Sequence, residues 1–485
     1  MLLLIPLEKK LELKRFPIIT FLLILINTLV FFIGQSGDND AYDKAAKHYS
    51  DSGLAKIEIP AYIKYLENTP GRGESGDDKE RISFLKDTQK FSKEPPAMMG
   101  LMMISSDDLF LDELLDKKSI ITSDMKEYQQ WNENREELQN IFNKSLIYSY
   151  GFIPKEKRPI TYLTTQFLHG GIMHLVGNMV FLLFLGIAVE NIFGSLRYLP
   201  FYLFSGACAT AFYMLFDMTS RTPLVGASGA IAGLMGMYAI SYGLRRIRFF
   251  YNILFYFNYV KAPALIMFPL WLGNEFLQYF FVEGSNVAYM AHAGGLLAGG
   301  AIAGFMSLFK KGVDREYMDE NVKQDNLAEL MAEANTLMGQ LEFDQAKKIY
   351  NQILRDHPDN LDALKKLFTI EKHKPDSLDF MSVCNKLFKL NSNAPGIVAD
   401  INQIFKEYLK LTNHNAQLDT PHMVDLSIRF SNHGFIEDAE MILTALINCG
   451  HNVNNLDLAI KVIARKLEDI DSSRSLYYKK MLTAE

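Results

Sequence analysis

VAYMAHAGGLLAGGAIAGFMSLF, residues 287–309, is apolar over a membrane-crossing length, with no Asp, Glu, Lys or Arg and a single histidine, His292. A bilayer core takes roughly 20 apolar residues per helix. A titratable group at that depth is expensive, rare and usually functional. Gly295 and Gly299 follow His292 at i+3 and i+7, on its own helical face. A second apolar run, 226–242, opens with Gly226-Ala227-Ser228-Gly229 and continues through Gly233 and Gly236. Two such smooth faces can pack closely in a membrane bundle. That approach would bring His292 Nε2 within hydrogen-bond reach of Ser228 Oγ, the relation between a general base and its nucleophile. Taken alone, Gly-x-Ser-Gly is equally well read as small-residue helix packing. Together with the intramembrane histidine, it suggests peptide hydrolysis inside a membrane.

Four further runs reach or approach spanning length: 16–34, 175–193, 199–216 and 262–282. Lys9, Lys10, Lys14 and Arg15 precede the first run, which we read as an uncleaved transmembrane helix, too long for a signal peptide. The short, Gly- and Ala-rich run 226–242 suits the inside of a bundle. Basic residues fall before helix one, at Arg197, at Arg245, Arg246 and Arg248, and at Lys310 and Lys311. With six helices all four sites lie on one face, which the positive-inside rule makes cytoplasmic. Asp217 to Pro223 and Glu283 to Asn286 then lie outside, as does a long hydrophilic insert.

The expected fold class is all-α: a polytopic six-helix membrane bundle with an extracytoplasmic insert and a cytoplasmic α-solenoid-like domain. The expected divisions are 1–34 (N-terminus and first helix), 35–160 (insert), 161–312 (helices two to six) and 313–485 (cytoplasmic helical domain). In the insert, Gly71-Arg72-Gly73 and Pro95-Pro96 make the first half read as irregular. Residues 106–148 carry helical periodicity, as in Leu109, Leu111, Leu114 and Leu115, then Trp131, Leu138, Ile141 and Phe142. Residues 327–360 resemble a tetratricopeptide repeat at Ala334, Phe343, Ala346, Tyr350, Ile353 and Pro358, with a weaker copy around Gly434, Phe435, Ala439 and Leu443. Stacked helix pairs present a concave face, which points to a protein partner.

The formal net charge of −6 gives no reason to expect nucleic-acid binding. Cys208, Cys384 and Cys449 are too dispersed to build a disulfide framework or a metal motif. No metal or organic cofactor is expected.

His174 and Asn178, at i and i+4 near the outer end of the second helix, share a face. Both can donate to the oxyanion of a tetrahedral intermediate, where preorganised donors usually contribute most. The alternative is a polar tie between helices. The Ser228 backbone N–H, at a helix N-terminus, would add a third donor. No acidic residue stands out to orient His292, so a dyad is expected.

These residues resemble the rhomboid intramembrane serine proteases. Four motifs agree in order: His174-xxx-Asn178, Gly186-Ile187-Ala188-Val189-Glu190, Gly226-Ala227-Ser228-Gly229 and Ala291-His292-xx-Gly295-xxx-Gly299. The resemblance covers about 16–34 and 160–309, and neither the insert nor the tail. It implies that Ser228 is the nucleophile, His292 the base, and His174 and Asn178 oxyanion donors. Glu190 would be a buried hydrogen-bonding anchor, and His169 matches a further family histidine. The chain departs from the family at Pro159-Ile160-Thr161-Tyr162, where many members carry Trp-Arg. It departs again at Ala232, where many carry an aromatic stacked on the histidine, so His292 must be held differently. The expected protein is a multi-pass endopeptidase of the cell (inner) membrane with both termini cytoplasmic, cleaving transmembrane protein substrates in the bilayer. The competing reading is a catalytically silent adaptor that binds transmembrane clients and recruits cytoplasmic partners. A transporter would want charges in several helices or inverted repeats.

Overall fold

The computed structural model describes residues 3–6, 15–73, 75–91, 97–253, 256–282, 287–309, 312–412, 420–448 and 455–482. Lys9, Lys10, Lys14, Pro95, Pro96, Glu283–Asn286, Lys310, Lys311 and Cys449 lie outside these residues. The chain divides into two compact units, Met1–Lys323 and Gln324–Glu485.

The first unit is built on six apolar helices: α1 (Ile18–Phe32), α2 (Ile172–Phe193), α3 (Ser195–Met214), α4 (Ser228–Tyr242), α5 (Ala264–Phe281) and α6 (Tyr289–Met306). α4 is the central one, packed by α2, α3, α5 and α6. Its small residues leave almost no side chain reaching outward, and Ala230, Leu234, Met237 and Tyr238 are buried. α1 and α5 are peripheral and turn Leu22, Leu25 and Leu29, and Leu265, Ile266, Leu270 and Leu277, outward. An apolar outer band around a core with polar groups is the arrangement a lipid environment selects. By length and composition, Ile18–Asp51 and α2 are long and apolar enough to cross a membrane.

Close approach of α4 and α6 is set by glycine. A Cβ on Gly295 would meet the Gly229 carbonyl, and one on Gly299 would meet the Gly233 carbonyl. The two backbones therefore touch, as the paired stripes predict. At the other end of the bundle, the buried Glu190 carboxylate accepts from the backbone N–H groups of Ile19 (3.0 Å) and Thr20 (2.8 Å). It also accepts from Thr20 Oγ1 (2.8 Å) and Ser195 Oγ (2.6 Å). A helix start has unsatisfied N–H donors and a partial positive charge, so a carboxylate placed there fixes α1 to the end of α2.

The α4–α5 connection is not a simple basic loop. β2 (Arg246–Ile253) and β3 (Tyr256–Pro263) form an antiparallel hairpin with Arg246 opposite Pro263, and β1 (Leu3–Pro6) joins β2 on its other edge. Ile247 and Phe249 turn inward while Arg246 and Arg248 turn away, the period-two alternation of a strand. The molecule remains overwhelmingly helical.

The insert differs from the sequence expectation more sharply. Its first half is helical over Asp38–Asp51, Leu54–Asn68, Gly76–Phe91 and Ala97–Ser105. Gly71 and Gly73 flank a turn stitched by Arg72 to Asp78 (2.9 Å) and Asp107 (2.6 Å). Leu54, Ile59, Tyr62 and Leu66 supply the buried face, onto which Leu111, Leu114, Trp131 and Leu138 pack from the second half. Buried Glu58 is matched by Trp131 Nε1 (2.8 Å) and Arg135 (3.0 Å). Without cysteines, this apolar core holds the insert.

The insert is anchored to the bundle near the chain segment entering α4. Asp108 accepts from the Arg221 backbone N–H (2.8 Å), and Asp116 pairs with Arg221 (2.7 Å) and Lys155 (2.8 Å).

The second unit is a succession of helices from within Arg315–Gly339 to Ser472–Met481. Ala334, Ala346, Tyr350 and Ile353 are fully buried in its core, and Pro358 follows the end of Phe343–Asp356. Thr420–Asn432 and Ile436–Asn448 pair across a turn at Gly434. Phe343 is exposed.

Candidate active site

The segment before α4 is fixed from two sides. Phe152 and Leu224 exchange backbone hydrogen bonds of 3.0 and 2.8 Å, and the Gly226 N–H donates to the Thr165 carbonyl (3.0 Å). Gly226 has φ 130°, a conformation that L side chains rarely adopt. A Cβ there would lie 2.9 Å from the His174 ring and 3.6 Å from Asn178 Nδ2. Glycine is therefore required at Gly226 for backbone and space alike.

Ser228 opens α4, and His292 projects from α6 across the glycine contact. His292 Nε2 lies 3.0 Å from Ser228 Oγ. Both are partly buried. This is hydrogen-bond distance for a base poised to take a hydroxyl proton.

His174 and Asn178 converge on the Gly226 backbone, two residues before the serine. The Asn178 Nδ2 amide is buried and has no partner among the described residues. An unpaired buried donor costs about 1–3 kcal/mol. It persists where a ligand or an intermediate supplies the acceptor. His174 is exposed, its ring 5.3 Å from that of buried His169. The His169 backbone exchanges two 3.0 Å hydrogen bonds with the Gln35 amide, fixing the strand of chain before α2 to the exit of α1. Gly186 lets α1 approach, since a Cβ there would crowd Thr20 and Tyr198 at 2.7 Å.

One expectation is corrected. His292 Nδ1 lies 3.1 Å from Glu275 Oε2 on α5, so an acidic residue does reach the imidazole. The signal was present in the sequence. Met267, Trp271 and Glu275 recur at four-residue intervals, and Met267 and Trp271 are the buried face of α5. A glutamate in that register faces the bundle. Buried Ala232 leaves the usual stacking position vacant, and Glu275 is what holds the ring here. At the other departure from the family pattern, Tyr162 packs its ring 4.6 Å from Phe152 and its hydroxyl 3.2 Å from Met214 Sδ.

The family model of the Rhomboid domain matches residues 156–309, a span that contains His169, His174, Asn178, Ser228, Glu275 and His292. Residues 156–309 are a rhomboid domain. Similar proteins include RHOMBOID-like protein 4 of Arabidopsis thaliana, 45% identical over 74 residues, covering 15% of this chain and 18% of that protein. Rhomboid-related protein 2 of Mus musculus is 30% identical over 151 residues, 30% of this chain and 48% of its own. Rhomboid protease GluP of Bacillus subtilis (strain 168) is 33% identical over 151 residues, 31% of this chain and 26% of its own. The chain thus spans at most about half the length of these relatives, and the insert and tail lie outside the rhomboid match. Rhomboid proteins are embedded in the bilayer, and the family includes both proteases and inactive members.

Proposed function

We propose that this rhomboid protein is an intramembrane serine endopeptidase acting on transmembrane segments of other membrane proteins. The observation that carries this reading is the 3.0 Å contact between Ser228 Oγ and His292 Nε2. Beside it lies the unpaired Asn178 amide. Ser228 Oγ attacks a scissile carbonyl while its proton passes to His292 Nε2. The developing oxyanion receives the Asn178 amide, His174 and the Ser228 backbone N–H. Collapse to the acyl-enzyme returns the proton to the leaving amine, and water completes hydrolysis by the same base. A helix hides its carbonyls, so a substrate unwound near its outer end, with small residues at the scissile bond, fits best.

The same reading has α1–α6 cross the membrane six times, with both termini cytoplasmic in a cell (inner) membrane. The Gln324–Glu485 unit then offers a helical surface to a protein partner on the cytoplasmic side. Fluorophosphonate labelling of wild type, Ser228→Ala and His292→Ala in detergent tests the core of this reading. Labelling of wild type that disappears in both variants is expected. Undiminished labelling of Ser228→Ala overturns it. If well-folded wild type neither labels nor cleaves a transmembrane reporter, the adaptor reading replaces it.

A further inference from the structure

The geometry points to Glu275 as a positioning residue that completes a Ser228–His292–Glu275 triad, an inference that rests on the protease reading above. The two ring nitrogens of His292 are each claimed, Nε2 by Ser228 Oγ at 3.0 Å and Nδ1 by Glu275 Oε2 at 3.1 Å. A carboxylate only accepts. The contact therefore puts the proton on Nδ1 and leaves the Nε2 lone pair free for the serine. This is the one tautomer in which His292 can act as a base, and the ring cannot rotate without losing the contact.

Glu275 has no competing employment. Among the described residues, His292 is its one hydrogen-bond partner. Glu190, the other acid at bundle depth, is saturated by four donors at the far side of α2. A carboxylate facing the interior of a membrane bundle is costly and is retained where it has a task. Helix α5 aims it: Trp271 and Met267, one and two turns earlier on the same face, are buried against the bundle and fix the rotation of the helix. When Ser228 Oγ bonds to the scissile carbon, its O–H bond breaks and the proton moves to Nε2. The Nδ1 proton stays where it is, and Glu275 faces the resulting imidazolium. The proton on Nε2 then leaves with the amine, so no net charge or proton is gained over the cycle.

The test compares Glu275→Gln, Glu275→Ala and Glu275→Asp with wild type, following kcat and KM on a transmembrane reporter and the fluorophosphonate labelling rate. Thermal midpoints confirm folding. A residue that merely fills space or ties α5 to α6 tolerates the isosteric glutamine better than alanine. A residue that sets the tautomer does not, because the glutamine NH₂ can donate to Nδ1 and force the proton onto Nε2. The expected result is a fall in kcat of roughly 10²–10⁴-fold for Gln, at least as large as for Ala, with KM little changed. Asp, one methylene short, is expected to retain the correct tautomer and lose roughly 10-fold or more through misplacement. Kinetics within twofold of wild type for Gln, or for Asp where Gln does not fold, overturns the inference while leaving the Ser228–His292 protease intact. Losses confined to KM, or Gln clearly milder than Ala, also overturn it. A folded wild type that is inert toward both probe and reporter removes the protease reading itself, and the triad with it.

Discussion

At the scale of single residues, the site is a set of polar groups placed where polarity is costly. Asn178 is the clearest case: its amide is buried and has no partner among the described residues, and it is aimed at the backbone of Gly226 just ahead of Ser228. If the amide is reserved for the oxyanion, Asn178→Ala removes a donor used only in the transition state. The expected loss is about 10²–10³-fold in kcat, or about 2.7–4 kcal/mol, with KM nearly unchanged. Because the amide has no partner to lose, the thermal midpoint should hold or rise. A variant that keeps its kcat but unfolds earlier would instead assign Asn178 to a tie between helices. Most of this constellation was legible in the sequence for one physical reason. Within apolar runs a serine, two histidines and an asparagine stand out, because each needs a justification that lipid does not provide. Glu275 obeys the same rule and was nevertheless passed over. Its partner lies on another helix, and only extending the Met267–Trp271 register by one turn shows that it faces inward.

At the scale of elements, the Ser228–His292 contact depends on how closely α4 and α6 approach. A Cβ on Gly299 would collide with the Gly233 carbonyl, a backbone atom that cannot swing aside. Gly299→Ala should therefore push the helices apart and lengthen the Ser228–His292 contact. Misplacement by about 1 Å costs roughly 10²-fold in rate. Gly304→Ala, on the same helix with open space at its Cβ, should be kinetically silent, so comparing the two kcat values separates packing from helix propensity. A second element-level device joins the insert to the segment before α4. Hydrogen bonds from Lys155 and then Arg221 pull the Asp116 carboxyl down to about 2 from 3.8. A lowered value means that the ion pairs stabilise the docked insert fully above about pH 4, and that this contribution fades as pH falls toward 2. The groups are partly exposed, so each pair is worth only about 0.2–1 kcal/mol. The expected outcome is a lower unfolding midpoint of the insert, followed by Trp131 fluorescence in a Trp271→Phe background, as pH drops through that window. Asp116→Asn should start lower at neutral pH and lose that part of the decline. An identical decline in both proteins would place the acid sensitivity elsewhere. Neither the helices in the first half of the insert nor the β2–β3 hairpin was legible in the sequence. Gly71, Arg72 and Gly73 mark one turn but suggest a longer irregular stretch. In the hairpin, the arginines that report orientation obscure the inward alternation of Ile247 and Phe249.

At the scale of the molecule, the core of the six-helix bundle and the core of the Gln324–Glu485 unit are built differently. In the first unit the core is thin, because backbones touch through glycine and the large apolar side chains also face outward. In the Gln324–Glu485 unit the large side chains turn inward, with Tyr350, Phe380, Leu387, Tyr408 and Phe430 buried in one continuous cluster. Ala334, Ala346, Tyr350 and Ile353, which the sequence marks as inward positions, lie in that cluster. What the surface of this unit binds is not legible in the sequence, since a buried apolar pattern specifies a core far more tightly than a surface. Separate cores imply separate stabilities. Leu387→Ala leaves a cavity in the second core and should cost that unit about 2–5 kcal/mol. The Ser228 chemistry depends on α2, α4, α5 and α6, none of which shares that cluster. In the full-length protein, the variant should therefore lower the denaturant midpoint reported by helical circular dichroism for one transition only. The fluorophosphonate labelling rate should stay within about twofold of wild type, since sites without shared partners act independently. A matching fall in labelling would show that the two units fold and work as one.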